Sequence, residues 1–224
     1  LIKPTVNDDY TSGQLLVNLK MTGSMAGTVS ITAQDQSGRT ILRTDQSVAE
    51  TLTIESGTIS EVHLWDNQDP YLYRLEIAVH DQTGQLLEVI PYQFGFRRVE
   101  IDPDHVLKLN GHRLIINGVN RHEWNCRTGR CITLADMKQD IGTFRENNIN
   151  AVRTCHYSDQ IPWYYLCDQN GIYMMAENNL ESHGTWQKMG AVEPSYNVPG
   201  SVPEWRDVVL DRARTNYETF KNHP

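Results

Sequence analysis

The sequence predicts a multi-domain chain, β followed by α/β: an antiparallel β-sandwich and then the opening units of a parallel β/α barrel. Three observations predict it. Apolar residues alternate with polar ones from about Leu15 to Ile101, the period of strands that bury one face and wet the other. Beyond about His105 the alternation gives way to short apolar runs separated by helical patterns, the order of parallel strands joined by crossover helices. A histidine follows each strand-like run of this second part: His122, His156 and His183.

In the first part, residues 1–104, Val17, Leu19 and Met21 alternate with Asn18 and Lys20. Val29, Ile31 and Ala33 alternate with Ser30 and Thr32, and Leu75, Ile77 and Val79 with Glu76 and Ala78. Turn residues punctuate the runs at Gly23, Gly27, Ser37-Gly38, Ser56-Gly57 and Thr83-Gly84. Short strands at this spacing predict an antiparallel sandwich of about seven strands.

In the second part, residues 105–224, Leu114-Ile115-Ile116 reads as a strand. Thr133, with Asp136 three residues on, is a capping signal ahead of Met137, Ile141 and Phe144, which fall on one helical face. Ala151 to Cys155 is a second strand, Ser158 caps a helix through Trp163 and Leu166, and Gly171 stands where a left-handed helix end needs glycine. Ile172 to Met175 is a third strand. Ser201, Pro203 and Glu204 then open a helix whose apolar stripe is Trp205, Val208, Val209 and Phe220. The residues after His105 are too few for an eight-unit barrel, which takes about 250. The chain is therefore expected to hold the beginning of a barrel, with later strands beyond it or on another polypeptide.

A formal net charge of -8 and a pI near 5.4 exclude a partner recognised through its phosphates or an anionic lipid surface, so neither nucleic acid nor membrane is expected. No apolar run is long enough to span a bilayer, and LIKPTVNDDY carries no leader pattern. The four cysteines, Cys126, Cys131, Cys155 and Cys167, form no C-x-x-C pair; unpaired thiols and a cytoplasmic location are the expectation.

The carboxyl ends of parallel strands form one face, and side chains there converge on a common mouth. His122 in NGVNRHE, His156 in RTCHYSD and His183 in NNLESHG all lie just past such ends, with Asn120, Glu123, Glu177 and Glu181 beside them. Together they make an active site the expectation. In Glu181-Ser182-His183 alternate residues point the same way, so one carboxylate and one imidazole reach a single cation. Mg²⁺ prefers about six ligands, mostly oxygen, and needs at least one more protein group. An ordinary hydrogen-bonded pair is the plainer reading of the two. A transition-metal hydrolase using His122, His156 and His183 is a competing class, for which no bridging carboxylate is evident. Trp163, Tyr164 and Tyr165 read as helix core, whereas Trp124 and Trp186, in loops past strand ends, are better placed to stack on a sugar.

Trp65-Asp66, Asp69-Pro70-Tyr71-Leu72-Tyr73, Gly95-Phe96-Arg97-Arg98-Val99-Glu100-Ile101, Leu109-Asn110-Gly111 and Asn117-Gly118-Val119-Asn120-Arg121-His122-Glu123 resemble successive signatures of family 2 glycoside hydrolases. NGVNRHE, CHY and NLESHG are similar to the β-galactosidase branch. The resemblance implies an immunoglobulin-like β-sandwich followed by the first three βα units of a TIM barrel. It also implies retaining hydrolysis of terminal β-galactosides such as lactose, aided by Mg²⁺ and a monovalent cation such as Na⁺. On it, Glu181 and His183 would be Mg²⁺ ligands, His122, His156 and Asn120 substrate-binding residues, and the whole protein a homo-oligomer or one complementing subunit.

Two departures carry expectations of their own. The family's Asp-Glu-Ala-Asn run is Ala176-Glu177-Asn178-Asn179 here. In the family the acid/base glutamate, which is also the third metal carboxylate, follows an Asn-His-Pro like Asn222-His223-Pro224, and the nucleophile comes later. No catalytic residue is therefore expected within this chain, which alone should be inactive or act only as a galactoside-binding or complementing part. The family's amino-terminal jelly roll is likewise expected to lie outside it.

Overall fold

The computed structural model describes residues 1–23, 26–181 and 202–224. They fall into two compact units, one made of Leu1–Ile116 with Asp168–Gly171 and Asn222–Pro224, the other of Asn117–Cys167 with Ile172–Lys221.

The first unit is a sandwich. β1 (Ile2–Val6), β2 (Ser12–Lys20) and β5 (Thr51–Glu55) form one sheet, with β6 (Ile59–Ser60) also on β2. β4 (Thr40–Ser47), β3 (Thr28–Gln34), β7 (Tyr73–His80) and β8 (Leu86–Phe94) form the other, and every pairing is antiparallel. The alternation expected of the sequence is the alternation observed: Val29, Ile31 and Ala33 are fully buried on β3, facing inward with Leu75 and Ile77 of β7. Leu15, Val17 and Ile54 close the same core from the other sheet. Two hairpin loops repeat one device. Asp35 Oδ1 accepts from the amides of Ser37 and Arg39, and Asp81 Oδ1 from those of Thr83 and Gln85, while Gly38 and Gly84 take φ of +89° and +83°. Bonds from the Ser37 and Thr83 hydroxyls, joined by backbone amides, hold both carboxyls below the usual carboxylate range.

A small antiparallel sheet of β9 (Val99–Ile101), β10 (Leu107–Leu109) and β11 (His112–Arg113) follows. Motifs that carried the resemblance in this half are structural. Trp65 is buried, its Nε1 donates to the Asp168 carbonyl at 2.8 Å, and its own carbonyl accepts from Asn110 Nδ2 at 3.1 Å. Gly95 is glycine because a Cβ there would sit 2.7 Å from that of Trp65.

In the second unit β12 (Gly118–Arg121), β13 (Ala151–Thr154) and β14 (Tyr173–Met175) form a parallel sheet in that order. α1 (Leu134–Glu146) and α2 (Ile161–Asn170) lie between successive strands in sequence, and α3 (Arg206–Phe220) follows a short 3₁₀ turn over Pro203–Trp205. The capping box of α1 forms as expected, Thr133 accepting from the Asp136 amide and Asp136 from the Thr133 amide, and Met137, Ile141 and Phe144 are its buried residues. Trp163 and Tyr164 are core, and Tyr164 stacks on Phe220 with ring centroids 3.6 Å apart. Gly171, which with the last residues of α2 counts to the first unit, has φ +66°, as its place after that helix required.

Three expectations are corrected. Leu114-Ile115-Ile116 is not the first strand; Ile115 and Ile116 are 69% and 57% exposed, and the strand is β12, a few residues on. A strand exists where a partner's hydrogen bonds are in register, and β13 pairs with Gly118 to Arg121. Ser158 does not cap α2; its hydroxyl lies 3.0 Å from both the Glu177 carbonyl and Asn216 Oδ1. The stripe expected on α3 is covered only in part: Trp205 and Val208 are 40% and 39% exposed, whereas Val209 is half-buried and Phe220 packs against the core. Ser201, the expected cap, lies outside the described residues.

Candidate active site

The register Asn120↔Arg153 and Arg121↔Thr154 sorts side chains to two faces, because successive residues of a strand point opposite ways. Asn120 and Arg153 share one face, and Arg153 Nη1 donates to Asn120 Oδ1 at 3.1 Å. Arg121 and Thr154 take the other and are buried.

One residue past β12 stands His122, and two past β13 stands His156, their ring centroids 5.4 Å apart. The Tyr157 hydroxyl is 3.4 Å from His122 Nδ1. Glu177, two past β14, receives Arg153 through Nε at 3.0 Å and Nη2 at 2.5 Å. Arg153 Nη2 is also 3.3 Å from His156 Nδ1, and that nitrogen lies 3.4 Å from Glu177 Oε2 and 4.0 Å from Glu181 Oε2. Three strand ends thus bring an amide, two imidazoles, a guanidinium, a phenol and two carboxylates to one rim. Such a set offers donors and acceptors at several heights, which suits a hydroxyl-rich ligand. His183 and Trp186 lie outside the described residues; Trp124 is 64% exposed.

Beneath the rim is a buried ionic layer. Arg121 donates from Nε to Asp140 Oδ2 at 2.9 Å and from Nη1 to Asp159 Oδ2 at 2.6 Å, and its guanidinium lies 3.8 Å from the Trp163 ring centroid. Burial pushes the Asp159 carboxyl up to about 6, against the pull of Arg121, and burial likewise pushes the Tyr164 hydroxyl up to about 12. Glu123 Oε1 accepts from the Gln160 amide at 3.0 Å, tying the loop after β12 to the start of α2. The Glu177 amide donates to Thr154 Oγ1 at 2.9 Å, which fixes the end of β14 against β13.

Sequence reasoning picked out Asn120, His122, His156 and Glu181 and passed over Arg153, the residue that joins most of them. A signal was present: Arg153 is the one charged residue of its short strand, and a charge there needs a partner on its own face. Arg121 and Asp159 carried no such signal, since they meet only across the fold, 38 residues apart in sequence.

The description "Glycosyl hydrolases family 2, TIM barrel domain" matches residues 99–224, and "Glycosyl hydrolases family 2" matches residues 1–97. The β-galactosidase large subunit of Lactobacillus acidophilus is 67% identical over 222 residues, covering 99% of this chain and 35% of that relative. The β-galactosidase of Halalkalibacterium halodurans is 42% identical over 225 residues, 100% of this chain and 22% of that protein. The chain therefore spans a minor part of the relatives it matches. Among solved structures, a β-glucuronidase from Ruminococcus gnavus in complex with uronic deoxynojirimycin superposes with a TM-score of 0.79 at 22% identity, covering 100% of this chain and 35% of that one. That likeness is one of fold.

Proposed function

We propose, on the premise that the chain belongs to glycosyl hydrolase family 2, that the whole protein hydrolyses terminal non-reducing β-D-galactosides such as lactose with retention of configuration. The observation that carries this reading is the rim formed by Asn120, His122, Arg153, His156 and Glu177 at three parallel strand ends. The names of its relatives, β-galactosidases, support galactose as the sugar.

In this reading the sandwich is immunoglobulin-like, and β12, β13 and β14 with their helices are the first three βα units of an eight-fold barrel. Asn120, His122 and His156 hold galactosyl hydroxyls, and Arg153 positions two of them, bonding Asn120 and facing His156. Retaining hydrolysis requires two carboxyl groups about 5 to 5.5 Å apart, one acid/base and one nucleophile. Glu177 is committed to Arg153, and the resemblance to the family assigns the acid/base and the nucleophile to sequence that this chain does not span.

Glu181, a carboxylate at the rim with its side chain 45% exposed, has the hard oxygen that Mg²⁺ takes. It fits as a ligand, with His183 as its expected companion. Bound there, the ion would supply a fixed positive charge beside the sugar. A monovalent cation such as Na⁺ is proposed as a second requirement of the whole protein.

The relatives' designation as large subunits supports a complementing subunit as partner. Leu86, Leu87, Val89 and Ile90, 40% to 59% exposed on the edge strand β8, support a further contact, either within the whole protein or in a homo-oligomer. No described helix is long and apolar enough to cross a membrane. None of the four cysteines is in a disulfide, which supports a cytoplasmic location.

The test is turnover by the intact protein of chromogenic β-galactoside and β-glucuronide side by side. Galactoside hydrolysis that falls about a hundredfold or more in His122→Ala and His156→Ala is expected. Selective turnover of the glucuronide would overturn the reading. The 224-residue chain by itself is expected to turn over neither.

A further inference from the structure

We propose that His122, Cys155 and His156 form a site for a borderline-soft divalent ion of the Zn²⁺ class, and that its occupancy closes the rim to sugar. The second half of this proposal rests on the functional reading above; the first does not.

One nitrogen from each imidazole and the Cys155 Sγ all lie within 4.8 Å of one another. Two imidazoles and a thiolate supply the nitrogen and sulfur donors that tetrahedral zinc takes, and three of them leave a fourth position for water. Thiolate also discriminates against Mg²⁺, which prefers oxygen. This cluster is thus chemically distinct from the Glu181 carboxylate proposed for Mg²⁺. Zinc bond lengths of about 2.0 to 2.3 Å place tetrahedral ligand atoms roughly 3.5 Å apart. The cluster must therefore tighten by about 1 Å, and the two exposed imidazoles can supply that by rotation about their side-chain bonds.

The sulfur is held more firmly. Cys155 is 3% exposed, its amide donates to the Arg121 carbonyl at 3.0 Å, and its thiol donates to the same oxygen at 3.4 Å. The register ends at Arg121↔Thr154, and the first residue past each strand, His122 and Cys155, brings a nitrogen and the sulfur to within 4.8 Å. A partner for the second histidine is also present. His156 Nδ1 lies 3.4 Å from Glu177 Oε2, a buried oxygen that accepts no hydrogen bond among the described residues. Arg153 Nη2 donates toward that same Nδ1 at 3.3 Å; an Nδ1–H given instead to Glu177 Oε2, as the ring turns onto the ion, leaves Nε2 with its lone pair, the usual carboxylate support of a ligating histidine.

Binding replaces the thiol proton by a metal–sulfur bond, releases that proton to solvent, and oxidises nothing. Because His122 and His156 are also the proposed sugar-binding imidazoles, ion and galactoside compete.

The experiment is a Co²⁺ titration of the intact protein carrying Cys126→Ser and Cys131→Ser, which removes this chain's exposed thiols. The expected result is a saturable thiolate-to-cobalt absorption band, displaced by Zn²⁺ and lost in Cys155→Ser. In assays, Zn²⁺ is expected to inhibit galactoside hydrolysis competitively, and Cys155→Ser to raise the concentration required at least about tenfold. His156→Gln provides a second variant, in which cobalt affinity should fall by a similar factor. A titration with no band that depends on Cys155 or His156 overturns the site. A band without competitive inhibition overturns the closing of the rim. A band in a protein that hydrolyses no galactoside overturns the functional reading and leaves the metal site standing.

Discussion

Arg153, in the middle strand of the parallel sheet, donates through Nε to Oε1 of Glu177 at 3.0 Å, across a sequence separation of 24 residues. The same guanidinium reaches Asn120 and faces His156, so one side chain spaces three strand ends. Arg153→Ala in the intact protein is expected to lower kcat/KM about a hundredfold, the scale of misplaced binding groups. Arg153→Lys should recover little, because a single ammonium cannot reproduce the planar fork. Steady-state kinetics with a chromogenic β-galactoside check both; a lysine variant with wild-type kcat/KM would remove Arg153 from this role.

The buried layer under the rim makes a stability prediction. The side chains of Arg121 and Asp159 are 5% and 0% exposed and bond at 2.6 Å. Arg121→Met strands a buried carboxylate and is expected to destabilise the protein by about 3–5 kcal/mol. Adding Asp159→Asn should restore much of the loss, since the charge left behind is what costs. Denaturant unfolding of the two variants decides it.

Asp159 also predicts a pH dependence. Burial raises its carboxyl from 3.8 to about 6, so between these values the folded protein keeps a proton that the unfolded chain has lost. Its contribution is fully present below the lower value and is lost as pH rises through the upper one. The urea midpoint of the native protein, relative to that of Asp159→Asn, should therefore fall across this window. The effect is on the order of 1 kcal/mol after solvent screening. A difference independent of pH would refute it.

Gly171 is under two constraints at once. Its φ is +66°, and a Cβ there would lie 2.6 Å from the Asn67 Cα. Gly171→Ala is expected to cost about 2–4 kcal/mol, whereas Gly142→Ala, where a Cβ meets nothing within 4 Å, should be neutral or stabilising. Thermal melts of the pair distinguish a local steric demand from a general effect of removing glycine.

Much of this architecture was determined by the sequence alone. Val29, Ile31 and Ala33 declared the buried face of β3, Thr133 and Asp136 declared the start of α1, and Gly171 declared the end of α2. Each signal is local: side-chain alternation, a cap bonding its own first turn, and a backbone angle that glycine alone adopts easily. Tertiary structure decided the remainder. It placed the first parallel strand at Gly118 rather than at the more apolar Leu114, joined Arg153 to Glu177, sank Arg121 onto Asp159, and brought the Cys155 sulfur within 4.8 Å of nitrogens of two histidines. Those outcomes depend on the register between strands and on which charges share a face, and neither is written in the period of any single segment.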